Sequence, residues 1–264
     1  MDAVRSEVLP VCAIHLGHGA AARGHEVILC EKSGRLGGVL RCEEGVSFKK
    51  HLGDFLDNQE REIARAGIDV RLNTAVTPEF AVATAPDVII AALGAKPVIP
   101  DIPGIAHAVG AEDVYYDPSK AGQRVVILGG GLVGSELAIH LARLGREVTI
   151  VELADSLSNG GNMLQGLAIG LELARLGVDI NLSATVQGVT SGGVDAISAD
   201  GSKRTFEADT VIYAVGQRAL SDEAEALRFC APEFHRIGDC LLPGNIVEAT
   251  RAAYNISRDV GRFV

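Results

Sequence analysis

No two cysteines in this chain stand as a CxxC pair. The five, at positions 12, 30, 42, 230 and 240, are scattered and odd in number. That excludes a zinc ribbon, a bacterial-type iron–sulfur run and a CxxC redox disulfide, and it fits the reduced thiols of a cytoplasmic protein. Basic residues are also short: 24 Lys and Arg against 34 Asp and Glu leave a formal charge of −10, which argues against non-specific nucleic-acid binding. No run of about 18 apolar residues occurs, so no transmembrane helix is expected. The opening MDAVRSEVLP lacks the basic flank and long apolar core of a signal peptide. Proline is sparse, nine residues against 31 glycines, so glycine does the punctuating. What remains is ordinary globular material, 47% hydrophobic and 22% charged, and 264 residues suit two domains.

The strongest local signal is residues 124–152, RVVILGGGLVGSELAIHLARLGREVTIVE. Val125–Leu128 reads as a parallel strand buried on both faces, where alternation disappears. Glycines follow at 129, 131 and 134, then Leu137, Leu141 and Leu144 at helical spacing, with Gly145 as the stop. Glu147–Val151 is a second strand, closing at Glu152. Strand, turn, helix and strand within about 30 residues make one βαβ unit. In that setting Gly129, Gly131 and Gly134 form a dinucleotide-binding turn. The first glycine permits the tight turn, the second lets backbone approach a pyrophosphate, and the third allows close helix–strand packing. The first helical residues, Leu132 and Val133, present their amides to the phosphates. Glu152 lies 18 residues past Gly134 and is placed to accept hydrogen bonds from a ribose 2′-hydroxyl. A carboxylate there repels a 2′-phosphate, and Leu153 beside it offers no compensating cation, so NADH is favoured over NADPH.

A second copy of this plan stands upstream. Gly24-His-Glu-Val-Ile-Leu-Cys-Glu31 parallels Gly145-Arg-Glu-Val-Thr-Ile-Val-Glu152 position by position. Counting back from Glu31 by the interval of the downstream unit puts the glycines at 8, 10 and 13, where the chain has Val8, Pro10 and Ala13. Pro10 removes an amide donor, and the missing glycines deny close approach. The run Gly17-His-Gly19-Ala-Ala-Ala22 fits a loose G-x-G-x-x-A but lies too close to Gly24 to serve as that loop. Elsewhere the pattern predicts helices over 48–66, 164–176 and 245–262 and strands over 68–72, 87–93, 178–182 and 210–215. A hairpin with Asp200-Gly201 as its two-residue turn is expected between 194–198 and 204–206.

Five motifs in register carry a family likeness. Glu31-Lys-Ser-Gly-Arg-Leu-Gly37-Gly38 resembles the second flavin-contacting stretch of two-dinucleotide-binding flavoproteins, and Ala91-Ala-Leu-Gly94 and Tyr213-Ala-Val-Gly216 resemble their "ATG-like" strand ends. Ile237-Gly238-Asp239-Cys, with Pro243-x-Asn245-Ile246-x-Glu-Ala after it, resembles their flavin ribityl motif. From about residue 20 onward, the chain is similar to the C-terminal region of the 2,4-dienoyl-CoA reductase, 2-enoate reductase and trimethylamine dehydrogenase family. The resemblance implies an α/β fold of two interleaved Rossmann-like lobes with parallel sheets and a small β-meander. A FAD-type lobe would comprise 1–115 and 217–264, and a nicotinamide lobe 116–216. It implies that Glu31, Lys32, Arg35, Gly37, Gly38, Gly94, Gly238, Asp239, Asn245 and Ile246 surround FAD, and that Gly216 joins the NAD site. Glu31 would hold the adenosine ribose and Asp239 a ribityl hydroxyl.

The chain departs from the family in three ways: the flavin-bearing barrel and the four-cysteine cluster spacing are not in these residues, and Leu93 stands where a threonine is usual. No nucleophile–base constellation is present, and the seven histidines are scattered; His15 and His18 lack the partners of a metal site. The expectation is therefore a cytoplasmic NADH-dependent flavin oxidoreductase module. It would pass electrons through FAD to a flavin-bearing barrel domain or subunit or to another acceptor. The alternatives are a non-catalytic nucleotide-binding or assembly module, and a fragment of a longer reductase. No catalytic residue, metal or oligomeric state is assigned.

Overall fold

A computed structural model describes residues 5–8, 17, 19–157 and 162–261. The chain divides into two compact units. One comprises Met1–Arg41, Lys50–Lys96 and Arg218–Val264, the other Cys42–Lys49 and Pro97–Gln217. Each is built on a five-stranded, wholly parallel sheet, and the order of four strands repeats, while the edge strand is the last in sequence in one unit and the first in the other. In the first unit the order is Glu233–Arg236, Val88–Ala91, Arg5–Val8, Glu26–Cys30, Asp69–Arg71. In the second it is Ala108–Gly110, Thr210–Tyr213, Arg124–Leu128, Glu147–Val151, Asp179–Asn181.

The central strands are covered on both faces, so their sequences are apolar runs rather than alternations. Val125–Leu128 and Val88–Ala91 are buried throughout. Helix Leu132–Arg143 follows the glycine turn and packs Leu137 and Leu141 into the core of the second unit with Val125, Ile127, Ile150 and Ile212. It stops at Leu144, and Gly145 takes a φ of +83°, the left-handed value a C-terminal glycine supplies at least cost. Between Asp179–Asn181 and Thr210–Tyr213 the chain inserts an antiparallel meander, Thr185–Thr190, Gly193–Ile197 and Lys203–Glu207. No helix among the described residues is long and apolar enough to cross a membrane.

Three expectations need correction. Residues 97–115 pack with the second unit, not the first, because Ala108–Gly110 forms the edge strand beside Thr210–Tyr213. Cys42, Val46 and Phe48 likewise enter the second unit's core. The hairpin turn has three residues, not two: Ser198 still pairs with Ser202, and the Gly201 amide donates to the Ser198 carbonyl at 2.9 Å with φ +82°. Such a loop ends in a left-handed glycine, the position Gly201 takes.

The third correction concerns the register upstream. Val8 is the last residue of a strand, pairing with Leu29, whereas Ile127 pairs with Ile150. The first unit is therefore two residues shorter between its first two strands, and Pro10, not Val8, corresponds to Gly129. The crossing at 9–16, with His15, lies outside the described residues, as does His18. In sequence the crossing holds no glycine in either register. Gly17 and 19–22 are helical, which keeps Gly17-His-Gly19 out of any phosphate loop.

Leu141 is fully buried, while Leu167 on the outer face of helix Met163–Arg175 is 61% exposed. Leu141→Ala is expected to cost about 2–5 kcal/mol of unfolding free energy, against less than about 0.5 kcal/mol for Leu167→Ala. Urea titration of both variants checks the contrast, and equal losses would contradict the packing.

Candidate functional site

In each unit the candidate residues stand at the carboxyl ends of the parallel strands, where an open α/β sheet leaves room for a ligand. In the second unit, strand Arg124–Leu128 runs into Gly129, whose φ is +110°. A Cβ there would lie 2.5 Å from the Ala214 carbonyl oxygen, and one on Gly134 would lie 2.1 Å from the Gly129 carbonyl oxygen. Both glycines are thus demanded by the closeness of helix, turn and neighbouring strand. Gly131 is different. A Cβ on it would meet nothing within 4 Å, so this position faces open space at the N-cap of helix Leu132–Arg143. The amides of the first helical turn have no intrahelical acceptor and carry the positive end of the helix dipole. Val133 is steadied by the buried Tyr115 hydroxyl, which donates to its carbonyl at 3.3 Å.

Glu152 follows strand Glu147–Val151 and lies beside this turn. Its carboxylate accepts the Gly130 amide and, at 2.7 Å, the Ala154 amide. A carboxylate offers about four lone-pair sites, so two further donors can be accommodated. Gly216, with φ +116°, closes the end of the strand Thr210–Tyr213 and has open space where a Cβ would stand.

The first unit repeats the arrangement with other parts. Glu31 follows strand Glu26–Cys30 and is 2% exposed. One carboxylate oxygen accepts the Ser33 amide at 2.7 Å, and the other is buried with no hydrogen-bond partner. A buried carboxylate oxygen left bare is costly, and a ribose hydroxyl would relieve it. Lys32 and Arg35 lie exposed on the turn that leads to Gly37 and Gly38, whose φ values are +114° and +55°. Gly94, with φ +83°, has open space around its missing Cβ. Gly238 and Asp239 form a short 3-10 turn just after strand Glu233–Arg236. Asp239 accepts the Gly244 amide at 3.1 Å; partial burial, and to a lesser degree the Glu248 charge, push its carboxyl above the usual range. Asn245 caps helix Ile246–Asp259 through a reciprocal pair with Glu248, leaving the Ile246 and Val247 amides without an intrahelical acceptor.

Cys42, Cys230 and Cys240 are free thiols, and no two of them form a redox pair. Burial pushes Cys42 up to about 12, with Glu43 and Glu112 adding to the effect, so it is no thiolate at neutral pH. Cys240 is buried, its Sγ 3.2 Å from the Ala91 carbonyl oxygen, a packing role.

Sequence reasoning missed two charged clusters. In the second unit Lys49 donates to Glu43 at 2.8 Å and to the buried Glu136 at 2.6 Å. Burial alone would lower the Lys49 ammonium, but the two carboxylates outweigh it and the net shift is upward. The one available signal was Glu136 itself, an acid between the inward residues Val133, Leu137 and Ala138. In the first unit a buried guanidinium, Arg41, donates to the Leu36 carbonyl and to Glu60.

Comparison with known proteins agrees with this architecture. The family model described as pyridine nucleotide-disulphide oxidoreductase matches residues 11–233. The chain belongs to this family, whose fold serves FAD and a nicotinamide nucleotide in oxidoreductases. It is 32% identical over 248 residues to an NADH oxidase of Thermoanaerobacter brockii, covering 90% of this chain and 38% of the relative. It is 30% identical over 254 residues to a cinnamate reductase of Clostridium sporogenes, covering 95% and 38%. The solved 2-naphthoyl-CoA reductase complex superposes with a TM-score of 0.91 at 29% identity, over 97% of this chain and 40% of that one. The resemblance to the dinucleotide-binding region of enoate-reductase-type proteins therefore holds. The chain spans about two fifths of the length of these relatives.

The contact between Gly134 and Gly129 gives a direct test. Gly134→Ala is expected to destabilise the second unit by more than about 1 kcal/mol, because a Cβ 2.1 Å from a backbone oxygen forces helix and turn apart. NADH affinity should fall with it. Calorimetric unfolding and NADH titration read both effects; a variant with unchanged stability would show that the helix does not pack so closely.

Proposed function

We propose that the chain is an NADH-dependent flavin oxidoreductase module. The second unit takes NADH, the first takes FAD, and electrons leave to a flavin or other acceptor on a partner domain or subunit. The observation that carries the flavin half is the bare, buried oxygen of Glu31 at a strand's carboxyl end. The nicotinamide half rests on the open Gly131 position beside a carboxylate already oriented by two amides. FAD, when bound, would supply the two-electron redox chemistry.

The chain's own residues bind and orient. Gly131, Leu132 and Val133 offer backbone amides to a diphosphate, Gly216 closes the strand end opposite, and Glu152 accepts ribose hydroxyls while repelling a 2′-phosphate. In the first unit Glu31 serves the adenosine ribose and Gly37, Gly38 and Gly94 let backbone pass close to the nucleotide, with Lys32 and Arg35 at the rim. Gly238 turns the chain so that Asp239 accepts a ribityl hydroxyl. The Ile246 and Val247 amides, opened by the Asn245 cap, favour negative charge at the flavin's pyrimidine edge. A nucleotide-binding or assembly module that no longer keeps FAD is the second reading, favoured by the glycine-free stretch 9–16. Absorption near 450 nm from the purified protein separates the two, as free flavin also absorbs there.

Two expectations follow from the assigned roles. Glu152→Arg should weaken NADH about tenfold or more and improve NADPH, since each charge-assisted hydrogen bond lost costs about 1.5–3 kcal/mol. Binding titrations with both nucleotides check it, and an unchanged preference would move Glu152 away from the ribose. NADH should also reduce a soluble dye or quinone in proportion to FAD content. Asp239→Ala should cut that rate while leaving NADH affinity nearly intact, because Asp239 belongs to the other unit. Flavin-free protein that reduced an enoyl thioester directly with NADH would overturn the electron-relay assignment.

A further inference from the structure

Arg41 is a cation with a side chain only 7% exposed, and it lies beside the glycine pair of the first unit. Its Nε donates to the Leu36 carbonyl at 2.6 Å. One terminal nitrogen donates to Glu60 Oε1 at 2.5 Å, and the other stands 3.8 Å from Asp57 Oδ1. Both acids project from helix His51–Arg65, so the guanidinium ties the turn at 36–38 to that helix. The fit leaves no slack: a Cβ on Gly37 would lie 2.8 Å from the Arg41 Nε and 3.2 Å from Leu56.

The consequence lies in the peptide between Leu36 and Gly37. In a trans peptide the carbonyl and the amide point in opposite directions. With the Leu36 carbonyl drawn onto Arg41, the Gly37 amide is turned the other way, off the guanidinium side of the turn. The geometry points to Arg41 as a positioning residue: it sets the Leu36–Gly37 peptide so that the Gly37 amide and the glycine backbone after it are presented to the flavin nucleotide. This rests on the proposal that the first unit takes FAD. Arg41 does not itself touch the cofactor. The Arg41 donors sit on separate nitrogens of a rigid planar fork and reach the carbonyl and the carboxylate in fixed directions, whereas a lysine gathers its donors on one nitrogen at the end of a flexible stem.

The test uses the purified full chain stripped of flavin and titrated with FAD, followed by quenching of flavin fluorescence, with NADH titration and thermal unfolding alongside. Arg41→Lys keeps the charge near Glu60 but loses the fixed bond to Leu36. FAD affinity is expected to fall about tenfold or more while NADH affinity and cooperative unfolding persist. Glu60→Ala, a change on the outer helix, covers the case in which Arg41→Lys does not fold. By releasing the guanidinium it should weaken FAD several-fold with NADH unchanged. If the unsubstituted chain takes up no FAD, the flavin assignment of the first unit falls and this role with it. If the unsubstituted chain binds FAD and the folded variants bind it equally well, the positioning role alone is overturned. A parallel loss of FAD and NADH binding would likewise overturn it, as the mark of a merely structural prop.

Discussion

The second unit depends on one close approach, that of helix Leu132–Arg143 to the strand and turn before it. Gly134 sits where any side chain would strike the Gly129 carbonyl, and Gly129 where any side chain would strike Ala214. With both gaps closed to less than a methyl group, the helix starts immediately after the strand and directs its free amides along the sheet's carboxyl edge. The adjoining strand then delivers Glu152 beside the turn, and the Gly130 amide fixes its carboxylate. The turn, the open helix end and the placing of Glu152 beside them are consequences of a single packing constraint.

The first unit shares the order of four strands but reaches the same kind of crevice by other means. The stretch 9–16 that follows Arg5–Val8 has no glycine, so the weight shifts to groups on later strands and turns. Glu31 is more deeply buried than Glu152 and keeps one oxygen bare. The glycine pair at 37–38 is braced by Arg41. The two units have separate cores, and parts of one can change while the other keeps its loop.

Much of the second unit was legible because its signals are local and consecutive. Strand Glu147–Val151 was read residue for residue, and Gly145 marked the helix end. Features set by distant partners were not. Ala108–Gly110 is a three-residue strand with no apolar run of its own, defined only by pairing with residues a hundred positions later. Thr185–Thr190 is a strand with only two branched apolar residues, Val186 and Val189, and is held by the meander. The first crossing is two residues shorter than the second, a difference that only the pairing of Val8 with Leu29 reveals. The Lys49–Glu136 ion pair joins residues 87 positions apart and leaves no periodic trace.

The cysteines bear on what kind of oxidoreductase this fold can be. Cys42 lies four residues past the glycine pair, close in sequence to where a redox thiol would be sought. Yet burial holds it protonated, and it packs among Val46 and Ala111 of the second unit. A thiol attacks as thiolate, so a side chain with its ionisation pushed up to about 12 is not a nucleophile at neutral pH. The proposed function accordingly uses the acids and glycines at the strand ends, to hold nucleotides rather than to exchange bonds. The fold then contributes orientation and electrostatics, and its specificity resides in which phosphate and which ribose each crevice accepts.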